Sequence, residues 1–243
     1  MRLRRRFSAP TELVVLGGER LRVGPWRETA DVGYIAPLAD ATPPSMPTVR
    51  RCIDRLRRRN VREIVTAAIG EREAGPFLDL GFVVHERLAL LSHDLIGGPR
   101  PNGVATRRAR RSDRPAILRV DNEAFSPFWQ LDEAGLREAL TATPATRFRC
   151  TGDTDVTGYA IFGRAGDRGY LQRLAVDPSR HRGGLASALV ADGFAWALRR
   201  GVRSVLVNTQ EENTGALAFY ERTGFVRERH GLVVCRLVLE EPA

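Results

Sequence analysis

The fold turns on one stretch, Leu171-Gln172-Arg173-Leu174-Ala175-Val176-Asp177-Pro178, followed by Arg180-His181-Arg182-Gly183-Gly184-Leu185-Ala186-Ser187. It reads as a strand running into a glycine-bearing turn that opens a helix. Ala186, Leu189, Val190, Gly193, Phe194, Ala197 and Leu198 recur at helical spacing, the stripe expected of a helix lying on a sheet. Gly201 ends that helix after Arg199-Arg200, basic residues suited to a helix C-terminus. A helix start leaves backbone N–H groups unpaired and carries the positive end of the macrodipole, which suits a pyrophosphate. Gly183 and Gly184 let backbone approach such a group, and Arg180 and Arg182 add charge. Taken alone, the stretch reads equally well as a plain strand-to-helix turn.

Working outward, Gly97-Gly98-Pro99-Arg100-Pro101-Asn102-Gly103 is rich in chain breakers and marks a linker. It separates a segment 1–96 from a segment 104–243. After it come a strand within 104–109, a helix from Ser112-Asp113-Arg114-Pro115 to about Glu123, and a second helix opened by Leu131 and Asp132 that stops near Thr143-Pro144. Strands are expected at 147–151, 157–164 and 170–177, before the glycine turn and its helix. A strand at 204–208, a helix at 213–222 and strands around Val226 and at 233–239 complete the order. The class is α+β, a mostly antiparallel mixed sheet flanked by helices.

The earlier segment carries an echo of the later one. Asn60-Val61-Arg62-Glu63-Ile64-Val65 parallels Gly201-Val202-Arg203-Ser204-Val205-Leu206, and Leu80-Gly81-Phe82-Val83 parallels Thr223-Gly224-Phe225-Val226. Segment 1–96 is therefore expected to be a smaller, degenerate αβ copy, the other reading being two unrelated αβ units with a common strand-after-helix grammar.

Asn213-Thr214-Gly215-Ala216-Leu217-Ala218-Phe219-Tyr220 puts an amide and a phenol on one helical face, behind the strand beside the glycine turn. Tyr220 then faces the same cleft as a bound cofactor, or is a partly buried core tyrosine. Together with the L-A-V-D-P strand, the glycine turn and the following Gly224-Phe225 pair, this helix resembles the GNAT acetyltransferase superfamily over residues 104–239.

The resemblance implies an acetyl-CoA-dependent N-acetyltransferase. Its cofactor pyrophosphate would meet backbone amides of His181, Arg182, Gly183, Gly184, Leu185, Ala186 and Ser187. The pantetheine arm would pair with Leu174, Ala175 and Val176 like an added strand, and Asn213 would lie near the thioester. Transfer to a primary amine of a small molecule or protein would be direct. A backbone N–H near Leu174 would stabilise the oxyanion, and Tyr220 would protonate the leaving thiolate.

Two departures stand out. His181 replaces the usual glutamine or arginine of the turn. Asn208 and Tyr170 occupy the positions where members of the superfamily carry a glutamate base, and Glu211, Glu212 and Asp177 read as solvated loop charges, so no base is assigned. The loop between the first two helices sets acceptor choice in the superfamily. Here it offers Asp121, Phe125, Phe128 and Trp129, suited to a cationic amine or else forming an apolar plug. In the earlier copy Phe77 and Gly70 stand where Tyr220 and Asn213 would, and three prolines in Thr42-Pro43-Pro44-Ser45-Met46-Pro47 remove backbone donors, so no acetyl-CoA site is expected there.

Composition bounds the rest. All 38 basic residues are arginine, and the formal net charge is +9. That whole excess falls in residues 1–111, which hold 21 arginines against 12 acids. Three clusters carry it: Arg2, Arg4, Arg5 and Arg6; Arg50, Arg51, Arg55, Arg57, Arg58 and Arg59; and Arg107, Arg108, Arg110 and Arg111. They support an alternative, an acetyl-CoA-sensing regulatory protein whose basic part binds nucleic acid or another polyanion. No run of about 18 apolar residues exists to span a membrane. Arg4-Arg5-Arg6-Phe7 is followed by no adequate apolar segment for export. A cytoplasmic enzyme is expected, with Cys52, Cys150 and Cys235 reduced and no metal, since His85, His93 and His230 stand apart.

Overall fold

A computed structural model describes residues 11–239 apart from 28, 30, 39, 40 and 154. The cluster Arg2, Arg4, Arg5 and Arg6 and the Arg4-Arg5-Arg6-Phe7 motif lie outside the described residues. The chain forms two compact units.

The first unit runs through β1 (Glu12–Leu16), β2 (Glu19–Pro25), β3 (Val32–Pro37), α1 (Met46–Arg57), β4 (Glu63–Thr66), β5 (Ile69–Gly70), α2 (Glu71–Leu78) and most of β6 (Val83–His93). The second begins at Leu91. It contains β7 (Thr106–Arg108), α3 (Arg114–Ala124), α4 (Glu133–Thr141), β8 (Ala145–Thr151), β9 (Gly158–Ala165), β10 (Arg168–Val176), α5 (Leu185–Leu198), the start of β11 (Ser204–Gln210), α6 (Thr214–Arg222) and β12 (Val226–Arg227). The last strand, β13 (Leu232–Val238), belongs to the first unit.

These units do not coincide with the sequence stretches 1–96 and 104–243. The difference at the tail has a plain cause. β13 pairs antiparallel with β4 (Leu237↔Ile64), with β5 (Val233↔Ile69) and with β6 (Val233↔Arg87), so its backbone hydrogen bonds bind it to the first unit. Val233 and Cys235 pack in that unit's core with Ile35, Ile53, Leu56 and Phe77.

Each unit contains a parallel strand pair joined by a helix. β3 runs parallel to β4 (Val32↔Glu63 to Ile35↔Thr66) across α1. β10 runs parallel to β11 (Arg168↔Ser204 to Tyr170↔Leu206) across α5. A helical crossover is what a parallel pair requires. The α+β class and the element order expected after the linker are both present along the chain.

The echo in sequence is an echo in hydrogen bonding. Ser45 begins α1 and Gly184 begins α5, each accepting the first helical bond (Val49 N–H to Ser45 O, 3.0 Å; Ala188 N–H to Gly184 O, 3.0 Å). Asn60 and Gly201 follow these helices in the left-handed region, and Arg62 and Arg203 donate to Asp31 and Asp167 carbonyls, both at 2.8 Å. Phe82 N–H returns to Phe77 O (3.1 Å) as Phe225 N–H returns to Tyr220 O (3.0 Å). The ring pairs Phe77–Phe82 and Tyr220–Phe225 have centroids 5.3 and 5.4 Å apart. The first unit is thus a second copy of the same frame, shortened by the lack of counterparts to α3 and α4.

The α5 stripe is partly redrawn. Leu189, Val190, Gly193, Phe194 and Ala197 are buried as expected, but Leu198 at the C-terminal end is 54% exposed and Ala186 is only half-buried. Ala188, Ala191 and Trp196 are buried as well, so α5 is covered on more than one side. Its closest approach to the sheet is at Gly193, where a Cβ would stand 2.2 Å from the Phe162 ring. Gly193→Ala is expected to force Phe162 off its rotamer and destabilise the protein by about 1–3 kcal/mol, measured as a fall in the chemical denaturation midpoint at unchanged slope.

Candidate active site

The β10–β11 ladder ends at Tyr170 and Leu206, and among the described residues strand β10 is paired with β9 alone from Leu171 to Val176. A bulge between Leu171 and Arg173 adds local twist at that point. The backbone of Leu174, Ala175 and Val176 therefore offers one edge to a partner. Leu174 and Val176 are half-buried and Ala175 is buried.

Beyond β10, Asp177 folds its carboxylate onto the N–H and hydroxyl of Ser179 (2.8 and 2.7 Å), closing a single tight turn at Pro178–Arg180. Those Ser179 hydrogen bonds hold the Asp177 carboxyl below the usual carboxylate range. His181 follows, its Nε2 lying 3.3 Å from the Val176 carbonyl. Arg182 (φ 64°) and Gly184 (φ 76°) are both left-handed, a backbone geometry of the kind that gathers successive N–H groups into an anion nest. No protein group among the described residues accepts from the N–H groups of Arg182, Gly183, Gly184, Leu185, Ala186 or Ser187. Asn102, from the linker, donates through Nδ2 to Gly184 O (2.9 Å), and a Cβ on Gly184 would stand 2.5 Å from that nitrogen. This is a donor-lined, side-chain-free cradle at the start of a 14-residue helix, and the residues present fit a pyrophosphate.

Asn213 is exposed and caps α6, its Oδ1 accepting the Ala216 N–H (3.0 Å). Its Nδ2 remains available to a ligand. Tyr220 lies two turns on, 7% exposed, and its hydroxyl has no hydrogen-bond partner among the described residues. Burial pushes its phenol well above the ordinary tyrosine range, and the charge of Arg173 draws it part of the way back. The group is therefore protonated at any working pH and free to donate.

The acceptor loop differs from expectation at Asp121. That carboxylate is fully buried and is taken by four donors: Arg173 Nε (2.7 Å) and Nη2 (2.8 Å), the Leu131 N–H (2.7 Å) and the Tyr159 hydroxyl. With its lone pairs engaged inside the unit, Asp121 does not face an amine, and the expectation that it would is corrected. Phe125 lies beneath the Arg173 guanidinium, 3.4 Å from ring centroid to Cζ. Phe128 and Trp129 meet edge to face at 5.1 Å, both half-buried. Arg173 sits in the stretch that decides the fold, yet nothing in the sequence signals its role, because its partner is 52 residues away.

His93 is a second residue whose part was not legible. Its Nδ1 accepts the Leu95 N–H (2.7 Å), which leaves the ring proton on Nε2 facing the Thr223 carbonyl at 3.1 Å. Thr223 and Gly224 follow the helix that carries Tyr220, and the ring packs on Phe194 and Phe225. Among the described residues no group of three or more His, Cys, Asp or Glu side chains could hold a metal ion. None of their helices is long and apolar enough to cross a membrane. All three cysteines are free and buried.

The same position in the first unit is filled from within. Glu19 accepts the Ser45 N–H (2.9 Å) and hydroxyl (3.1 Å) at the start of α1. Although burial opposes it, bonds from Thr48 and Ser45 hold the Glu19 carboxyl below its ordinary range. A carboxylate thus stands where an anion would dock. Arginines in and just after α1 are also partly spent: Arg55 and Arg59 pair with Glu12, and Arg57 lies 4.0 Å from Asp54. Arg107 makes a two-point pair with Asp113 (2.7 and 2.9 Å).

The second unit thus carries a one-sided strand edge, a donor-lined turn and a protonated phenol on the helix after β11. Residues 114–225 match the model of the Acetyltransferase (GNAT) family. A protein of Salinispora arenicola named mycothiol acetyltransferase is 33% identical over 212 residues, 74% of this chain and 67% of that protein. A protein of the same name from Salinispora tropica is 47% identical over 143 residues, 53% of this chain and 47% of that protein. The chain spans about half the length of several such relatives. Among solved structures, a tandem GNAT protein from the clavulanic acid biosynthesis pathway superposes with a TM-score of 0.68 at 14% identity, covering 97% of this chain and 86% of that one. The chain belongs to the GNAT family, with the tandem architecture, and is an acetyl-CoA-dependent N-acetyltransferase.

Burial lowers the His93 pKa below its usual value; the bond to Thr223 and the charge of Asp94 oppose this only in part. A depressed folded-state value gives stability that is present above about pH 6.5 and lost as pH falls through the folded value. The melting temperature should drop on going from pH 7 to pH 5, and His93→Gln should show a shallower drop over that interval.

Proposed function

We propose that the second unit binds acetyl-CoA and passes its acetyl group directly to a primary amine of a small molecule, while the first unit carries no acetyl-CoA site. The observation that carries this reading is the run of unaccepted N–H groups from Arg182 to Ser187, set beside a β10 edge paired on one side only. Acetyl-CoA supplies the acetyl group as an activated thioester. His181, Arg182, Gly183, Gly184, Leu185, Ala186 and Ser187 hold its pyrophosphate through main-chain donors. Leu174, Ala175 and Val176 align the pantetheine arm by strand-like pairing, and the N–H near Leu174 is placed to stabilise negative charge on the reacting oxygen. Asn213 keeps one amide N–H for the cofactor while capping α6. Tyr220 holds a proton for the departing sulfur. Neither Asn208 nor Tyr170 is a carboxylate base, which supports an amine that arrives neutral or loses its proton through water.

The acceptor face is formed by Phe125, Phe128 and Trp129, and the name shared by the Salinispora relatives makes unacetylated mycothiol the first amine to try. Location in the cytoplasm goes with this reading. Nucleic acid or another polyanion as a partner of the basic half gains no support from Arg55, Arg57 and Arg59, which Glu12 and Asp54 already engage.

Two measurements test the proposal. Saturating CoA at about 100 times its dissociation constant should stabilise the protein by roughly 2.7 kcal/mol, seen as a raised melting temperature; no shift would remove the cofactor assignment. Tyr220→Phe should lower kcat on the order of 10²-fold with CoA binding and melting temperature unchanged. Its hydroxyl makes no internal bond, and Phe77 fills the matching place in the first unit, so the substitution isolates the proton. Full turnover in that variant would remove Tyr220 from the chemistry.

A further inference from the structure

The ion pair Arg173–Asp121 is buried, and the proposed transfer does not use it. Arg173 is 11% exposed and Asp121 not at all. Such a pair is not a cheap way to hold a core, since apolar side chains of similar volume do as well or better. What it does here is specific to the loop between α3 and α4. Arg173 Nη2 donates to Trp129 O (2.6 Å) as well as to Asp121, its guanidinium covers the Phe125 ring, and Asp121 receives the Leu131 N–H. The loop is therefore gripped at its first ring, its middle carbonyl and its last amide by one pair of side chains. The other end of the grip is β10 itself, one residue before Leu174.

We infer that Arg173 is a positioning residue that locks the acceptor loop 125–131 to the cofactor strand, so that acceptor amine and acetyl carrier are held in one register. The inference rests on the transfer proposed above for its kinetic consequences. Its structural core, the tether, stands on the contacts alone. The charge of Arg173 also draws the Tyr220 phenol back against the effect of burial, so the same side chain is in electrical reach of the proton donor. An ammonium cannot replace it. Lysine keeps the charge but lacks the fork that serves Asp121 and Trp129 together.

Arg173→Lys is the deciding variant. Hydrogen exchange of segment 125–131 should quicken about tenfold, the loss of one positioned hydrogen bond, while α5 and β9 keep their protection. The CoA dissociation constant and the KM for acetyl-CoA should stay within about twofold of wild type. Against them, kcat/KM for the amine should fall on the order of 10²-fold, as expected when a reacting group is misplaced by about 1 Å. Unchanged exchange with unchanged amine kinetics overturns the inference. So does an equal loss of CoA affinity and amine turnover, which a merely structural role would give. Should Arg173→Lys fail to fold, Arg173→Met combined with Asp121→Leu removes both charges and is measured in the same way. If wild-type protein binds CoA but acetylates no amine, the proposed function falls, and the exchange measurement decides the tether by itself.

Discussion

The second unit depends on where one ladder stops. β10 and β11 share three parallel pairs and then part, leaving Leu171–Val176 bonded, among the described residues, to β9 alone. An unpaired edge is ordinarily a liability that proteins shorten, charge or cover. Here it lies beside the turn that begins α5, so two unsatisfied sets of backbone groups meet end to end. Strand edge and helix start together make an extended row of main-chain donors and acceptors, which a long, flexible carrier with a pyrophosphate can satisfy piece by piece. Main-chain recognition of this kind tolerates change in the side chains along it, which is why His181 in place of a glutamine or arginine leaves the cradle intact. Gly184 is the exception, because its left-handed backbone and the amide of Asn102 leave no room for a Cβ.

Comparison of the two units separates what the frame needs from what the chemistry needs. The helix starts, helix ends, aspartate carbonyl contacts and aromatic pairs recur with matching hydrogen bonds. The differences fall at the three positions the proposed transfer would use: Ser45 for Gly184, Gly70 for Asn213 and Phe77 for Tyr220. Phenylalanine keeps the ring pair and drops the proton. Serine at the helix start brings a hydroxyl that, with its N–H, takes the Glu19 carboxylate into the anion's place. The same frame thus forms with or without the Asn213 amide and the Tyr220 hydroxyl.

Much of this was legible in the sequence. The second unit's order of elements follows from periodicity, glycine placement and caps such as Asp132, whose carboxylate accepts the Gly135 N–H. The strand–turn–helix stretch and the Asn213–Tyr220 helix were visible because each is local. Three features were hidden because they join distant residues. Arg173 meets Asp121 across 52 positions, Glu19 meets Ser45 across 26, and β13 pairs with β4 across more than 160. Local pattern carries no information about which side chain closes such a gap, and an acidic residue beside aromatics looks the same whether it waits for a ligand or already holds an arginine. Asp121 was misread for that reason.

The absence of lysine acquires a structural meaning at the same joints. Arg173 binds Asp121 through Nε and Nη2, Arg147 binds Asp192 through the same pair of nitrogens, and Arg107 binds Asp113 through both terminal nitrogens. These three forks tie β10 to α3, β8 to α5 and β7 to the turn that begins α3. Each is a planar two-point contact, which fixes direction as well as distance and which an ammonium cannot reproduce. In the second unit these three arginines are therefore fasteners between elements. In the first unit Glu12 serves two arginines at once, Arg55 in α1 and Arg59 just after it. Where an aspartate faces it, an arginine-only composition thus supplies two-point clamps whose direction a lysine in the same place would lose.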